Sequence, residues 1–205
     1  MTVPPAASRD ASPRPEVWIS VDVETSGPAP SIHSLLSIGA CLVDEPDKTF
    51  YIELKPTTDV AVESALKVSG FTLEHLSATG AEPAEAMERF EQWLTAAVPP
   101  GHVPVFAGFN APFDWMFVAD WFERFLGRNP FGHSAIDIKS YYLGFAGRTW
   151  AETSMANVSL LYLEGRDLAH NALEDAIDQA ELFRAMIADS HSRRAARPTE
   201  SEVDE

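Results

Sequence analysis

The sequence predicts an α/β fold, a mixed β-sheet with helices packed on its faces. Three observations lead there. Residues 17–27 alternate apolar and polar side chains with a period of two. Two further strand-like runs follow within the next 30 residues or so, bounded by turn formers. From about residue 83 the apolar spacing becomes that of helices.

The first strand, about Val17–Glu24, is rich in β-branched residues and is stopped by Thr25-Ser26-Gly27. Val17, Ile19, Val21 and Val23 share one face, and Trp18, Ser20, Asp22 and Glu24 the other. The second strand, Leu35–Val43, is apolar throughout, as in a sheet centre. Asp44–Lys48 is a turn cluster, and Thr49–Leu54 closes a three-stranded antiparallel meander. Short helical segments are expected at Glu63–Gly70 and Thr72–Ala78. Pro83–Ala97 is a stronger helix, opened by a proline and ended by Pro99-Pro100-Gly101. Val103–Ala107 is a short strand. The next helix is expected to take Asn110 as N-cap and Pro112 in its first turn, with Phe113, Met116, Phe117, Trp121 and Phe125 as its buried stripe. A fifth strand at His133–Ile138, a helix at about Lys139–Phe145 and another at Ser154–Leu163 follow. Asn171–Asp189 carries Leu173, Ala176, Ile177, Ala180, Phe183 and Ile187 at helical spacing.

One domain, residues 16–189, is expected between disordered tails at 1–15, rich in Pro, Ala and Ser, and at 190–205, polar and charged. The chain has 205 residues, enough for a sizeable core. A single cysteine, Cys41, excludes an intramolecular disulfide and suits a reducing interior. With no signal-like or membrane-length apolar run, a cytoplasmic location is expected. Fifteen Lys and Arg against 31 Asp and Glu give a net charge of -16. That balance argues against a continuous basic track for long nucleic acids, since phosphate neutralisation dominates their affinity.

Asp22 and Glu24, two apart on one strand, lie side by side with no basic residue between them. Two carboxylates so close repel each other unless a cation intervenes, and hard oxygen ligands suit Mg²⁺ or Mn²⁺. An acidic solvent face is the other reading of the same pair. Asp114 opens one helix, where it would also complement the helix dipole. Asp175 lies early in the last helix, five residues after His170.

The order Asp22-x-Glu24-Thr25-Ser26-Gly27, then Asn110-Ala-x-Phe-Asp114, then His170-Asn-Ala-x-x-Asp175 resembles the DEDDh family of 3′–5′ exonucleases, which includes proofreading subunits, RNase T and oligoribonuclease. The resemblance runs from about Val17 to Ala188 and takes in Ser37-Ile-Gly-Ala40 and Phe131–Lys139. It implies an RNase H-like mixed five-stranded sheet and a site for two divalent ions, Mg²⁺ or Mn²⁺. Asp22, Glu24 and Asp175 would hold one ion; Asp22 would bridge to the second, with Asp114 supporting it. His170 would be the general base, a role suited to histidine as a residue type. Thr25, Ser26 and Asn110 would meet the substrate.

Many members carry His where this chain has Phe109, a departure that touches substrate contacts rather than metal binding. Phe71, Phe109 and Trp150 are aromatic candidates for stacking on a base, against the commoner role of core packing. Asp137 matches a family aspartate of structural role and stays outside the catalytic set. The implied function is hydrolysis of single-stranded RNA or DNA 3′ ends, or of short oligonucleotides, to nucleoside 5′-monophosphates. A proofreading subunit of a polymerase and a non-catalytic scaffold are the alternatives, and RNase T-like relatives suggest a homodimer.

Overall fold

The computed structural model describes residues 13–166 and 169–195. Most of the tail expected at 1–15, and residues 196–205 of the second tail, lie outside these.

The meander forms as expected from β1 (Glu16–Thr25), β2 (Leu35–Leu42) and β3 (Thr49–Glu53). Helices α1 (Glu63–Ser69), α2 (Leu73–Thr79) and α3 (Pro83–Ala97) follow, then β4 (Val103–Gly108) and α4 (Pro112–Leu126). β5 shrinks to Ala135–Asp137 and passes directly into α5 (Ile138–Ala146). A 3₁₀ turn at Trp150–Thr153, α6 (Met155–Tyr162) and α7 (Ala172–Ala195) complete the described chain. No described helix is long and apolar enough to cross a membrane.

The sheet order is β3-β2-β1-β4-β5, antiparallel through β1–β2–β3 and parallel through β1–β4–β5. β1 is therefore central, and its alternation separates two cores. Ile19, Val21 and Val23 pack with Phe90, Phe117 and Trp121 from α3 and α4. On the other face Trp18 stacks on Phe183 of α7, ring centroids 5.2 Å apart. Asp22 and Glu24 follow Trp18 and Ser20 along that α7 face. Because β1, β4 and β5 are parallel, their C-terminal ends form one edge.

Gly39 decides how α7 meets this edge. It pairs with Asp22 across the β1–β2 ladder. A Cβ there would lie 2.1 Å from the carbonyl carbon and oxygen of Ala172. Only glycine lets the start of α7 rest on the sheet at the level of Asp22, which gives the Ser37-Ile-Gly-Ala40 run a physical meaning.

Three expectations need correction. Asn110 is no N-cap: it adopts a left-handed φ of 63°, and Ala111 precedes α4 with no side-chain cap. The buried face of α4 is Asp114, Phe117, Val118, Trp121 and Phe122, while Phe113, Met116 and Phe125 are half-buried. The helix turns its 117/118/121/122 face to the sheet, so the stripe counted from Phe113 is rotated. Finally, α7 runs to Ala195 through residues assigned to a tail. An Asp189–Arg193 ion pair of 2.8 Å, one turn apart, supports that extension.

Candidate active site

Three of the five proposed catalytic residues converge tightly. Asp22, Glu24 and Asp175 each offer a carboxylate oxygen, and these lie within 4.8 Å of one another. β1 supplies the first two, and α7 brings the third down from above.

Asp114 arrives from the other side. The β1–β4 pairing ends at Ser20 and Ala107, so the N–H of Val23, on the flank β4 has left, needs another acceptor. Asp114 Oδ1 accepts it at 3.1 Å. This ties the opening turn of α4 to β1 beside the acidic cluster, and the Asp114 charge acts on Asp22 directly.

Asp175 is buried, and its Oδ1 accepts the backbone N–H of Ala169 at 2.8 Å. His170 follows Ala169, is exposed and holds a left-handed φ of 54°, an uncommon conformation for a residue with a Cβ. The side chain of Asn171 caps α7, accepting from the N–H groups of Leu173 at 3.1 Å and Glu174 at 3.2 Å. His170 thus stands at a fixed turn immediately before the cap, beside Asp175.

The charges are uncompensated. Burial, then repulsion from Asp114, Asp175 and Glu24, lifts the Asp22 carboxyl well above the carboxylate range. Burial and the Asp175 charge push Glu24 up to about 7. Asp114 and Asp175 are raised too, chiefly by burial. Among the described residues, no ion pair engages any of the four. Converging carboxylate oxygens, half-buried at Asp22 and Glu24 and buried at Asp175, with no Lys or Arg paired to them, fit a hard divalent cation.

Gln179, which the sequence reading passed over, is hydrogen-bonded into the cluster. Its Nε2 donates to Asp22 Oδ1 at 2.6 Å, and its Oε1 accepts from the N–H of Phe109 at 2.8 Å. The amide orients Asp22 and ties α7 to the end of β4. The available signal was its position four residues after Asp175, on the same helix face.

The proposed substrate residues divide. Thr25 lines a groove of about 510 Å³ beside Glu24, walled by Val62, Ala65, Val68 and Phe113. Its hydroxyl donates to the Gly27 carbonyl at 2.9 Å. Ser26 is fully buried; its hydroxyl donates to the Val60 carbonyl at 2.9 Å and accepts from the Ser34 N–H at 2.8 Å. That hydroxyl braces the loops behind the groove, so the expected substrate contact does not come from it. Asn110 is exposed at the end of β4.

Asp137 is structural, as expected: Oδ1 accepts from the Ala111 N–H at 3.1 Å and Oδ2 from the Ser140 N–H at 3.1 Å, fixing the turn that leads to Asp114. Phe109 packs into the α7-side core, Phe71 is half-buried, and Trp150 is exposed.

Residues 19–183 match the RNase T family, described as exonuclease. The chain is 42% identical over 182 residues to the 3′-5′ DNA exonuclease Cap18 of Escherichia coli, covering 89% of this chain and 97% of that protein. Among solved structures it superimposes on E. coli Exonuclease I in complex with a dT13 oligonucleotide, with a TM-score of 0.66 and 19% identity, over 88% of this chain. It spans 42% of that longer chain. The nuclease domain of 3′hExo, a DEDDh family member bound to rAMP, gives a TM-score of 0.66 at 15% identity, over 93% of this chain and 99% of that one. The five-stranded mixed sheet flanked by helices is thus the RNase H-like fold of these exonucleases.

Proposed function

The chain belongs to the RNase T family of exonucleases and is a 3′–5′ exonuclease, and from that premise we propose that it removes nucleotides from single-stranded DNA 3′ ends using divalent metal ions held by its acidic cluster. The convergence of Asp22, Glu24 and Asp175 within 4.8 Å, beside an open groove, carries this reading. The DNA preference rests on the relative 42% identical over 97% of its own length, which is named a DNA exonuclease.

Asp22, Glu24 and Asp175 would hold one Mg²⁺ or Mn²⁺ ion, and Asp22 with Asp114 a second. Bound there, the ions would supply an activated water and stabilise charge on the departing 3′ oxygen. His170 accepts the attacking water's proton at a ring nitrogen from its turn beside Asp175. The water's oxygen bonds to phosphorus as the bond to the upstream 3′ oxygen breaks. A nucleoside 5′-monophosphate leaves, and the departing 3′ oxygen takes a proton from solvent, so that the shortened strand carries a 3′-hydroxyl. The apolar walls Val62, Ala65, Val68 and Phe113 receive the terminal base and exclude water from that side, while Thr25 lies against the sugar. Gln179 keeps Asp22 in its orientation throughout.

The test is digestion of 5′-labelled single strands of DNA and RNA with Mg²⁺, Mn²⁺ or chelator, beside Asp22→Ala. A ladder shortening from the 3′ end of DNA, lost with chelator and in the variant, is expected. Cleavage that survives chelator would sink the metal reading, and faster loss of RNA would reverse the substrate preference.

A further inference from the structure

An aromatic residue outside the catalytic set stands exposed at the same edge of the molecule. Trp150 is 55% exposed, whereas Trp18, Trp93 and Trp115 are half-buried and Trp121 is fully buried. The turn beneath it is rigid. Glu152 Oε2 accepts from the Thr149 N–H at 2.9 Å and from the Thr149 hydroxyl at 2.7 Å, and the Thr153 hydroxyl donates to the Trp150 carbonyl at 2.8 Å. An indole presented on a capped turn loses little freedom when a ligand covers it.

Lys139 Nζ lies 4.0 Å from the centroid of that ring. Lys48, Lys55, Arg89, Arg124, Arg128 and other cations of this acidic chain are tied to carboxylates. Lys139 makes none of the ion pairs among the described residues; its charge rests on an aromatic face, a contact worth little at an exposed site and easily exchanged.

The position follows from the topology. Lys139 is the second residue of α5, which starts where β5 ends. β1, β4 and β5 are parallel, so this is the edge that carries the acidic cluster; the β5 backbone lies two strand spacings, about 10 Å, from that of β1, which bears Asp22 and Glu24. α5 and α7 share the core on the face that Asp22 and Glu24 occupy. The turn bearing Trp150 packs against α5 and α6.

We propose that Trp150 and Lys139 form a second binding platform for the single strand, one that holds a nucleotide on the 5′ side of the scissile bond. The free face of the indole stacks on a base, and Lys139 Nζ meets a backbone phosphate. This rests on the exonuclease reading above for the identity of the ligand. It also answers the problem set by a net charge of -16: stacking gives affinity without a basic track, and one lysine offsets local repulsion where the backbone passes.

The test reads binding separately from hydrolysis. A 5′-fluorescein-labelled DNA strand of roughly 12 nucleotides is titrated in chelator and followed by anisotropy. Trp150→Ala is expected to weaken binding about tenfold and Trp150→Phe less than about threefold, because base–aromatic stacking tolerates a smaller ring. Lys139→Ala should flatten the dependence of log K on log salt by about 0.7, the loss of one single-strand phosphate contact. An abasic nucleotide placed under the ring should weaken wild-type binding about as much as Trp150→Ala, and weaken the variant no further. Unchanged affinity of Trp150→Ala would overturn the platform, as would equal loss in the Ala and Phe variants, which would point to a disturbed turn. Cleavage is scored on the same proteins: a wild type that binds through Trp150 yet shortens no strand would remove the catalytic reading and not this one.

Discussion

At Glu24 the stability of the fold and the proposed metal site oppose each other. Its carboxyl is pushed up to about 7 from 4.5, by burial first and by Asp175 second. The fold without metal therefore prefers the protonated form. That contribution is complete below about pH 4.5 and is lost as pH rises through about 7. Discounted for its partial exposure, the charged form costs about 1–2 kcal/mol. Glu24→Gln, neutral throughout, should raise the Tm of metal-free protein by about 3–6 °C at pH 8, with little change near pH 5. Thermal melts at both pH values check this, and equal shifts at the two would rule out the cost of the buried charge as the cause. Adding Mn²⁺ at pH 8 should reverse the order, since the wild type gains the ligand and the variant has lost one. Gln179 gives the complementary prediction. Gln179→Leu removes the donor to Asp22 and leaves the Phe109 N–H without its acceptor. Its kcat should fall about 10–100-fold, as for other groups that orient a metal ligand, and an undiminished kcat would show that Asp22 needs no such support.

Among the elements, the contact between α7 and β2 governs the site. Gly39→Ala would drive a methyl into the Ala172 backbone. We expect a loss of about 1–3 kcal/mol, read as a fall of several degrees in Tm. kcat should fall as well, because the displaced helix carries Asp175, Gln179 and the turn of His170. A variant that melts early but keeps full kcat would show that α7 tolerates the shift. Elements defined by strong periodicity and proline punctuation were legible in the sequence: β1 to β3, and α3 with its ends at Pro83 and Ala97. The acidic cluster was legible too, through spacing and family pattern. Asn110 was not, because asparagine is favoured both at N-caps and in left-handed turns, and only the chain path separates them. The continuation of α7 past Ser190 was hidden because a solvated, charge-paired helix and a polar tail have the same composition. Ser26 misled for another reason: its partners Ser34 and Val60 lie 8 and 34 residues away. Sequence adjacency to Glu24 suggested a reach towards substrate that tertiary contacts had already taken up.

For the whole molecule, acidity sets the manner of nucleic-acid binding. With a net charge of -16 and so many cations held by carboxylates, few phosphates should be neutralised on binding. The slope of log K against log salt for single-stranded DNA should therefore be shallow, about -1 to -2 at roughly 0.7 per phosphate. Anisotropy titrations across a salt series measure it, and a slope near about -5 would overturn this reading by requiring a continuous basic path. The placement of α7 has one further consequence. Gln179 reaches Asp22 across 157 positions of sequence, and Asp175 joins the first two carboxylates from the same late helix. A polypeptide leaves the ribosome N-terminus first and folds as it emerges. The growing chain can thus display Asp22 and Glu24 while their partner is still untranslated. On the ligand set proposed above, the site is complete only once α7 has docked on the sheet, so a copy whose last described helix is still untranslated should be unable to attack nucleic acid.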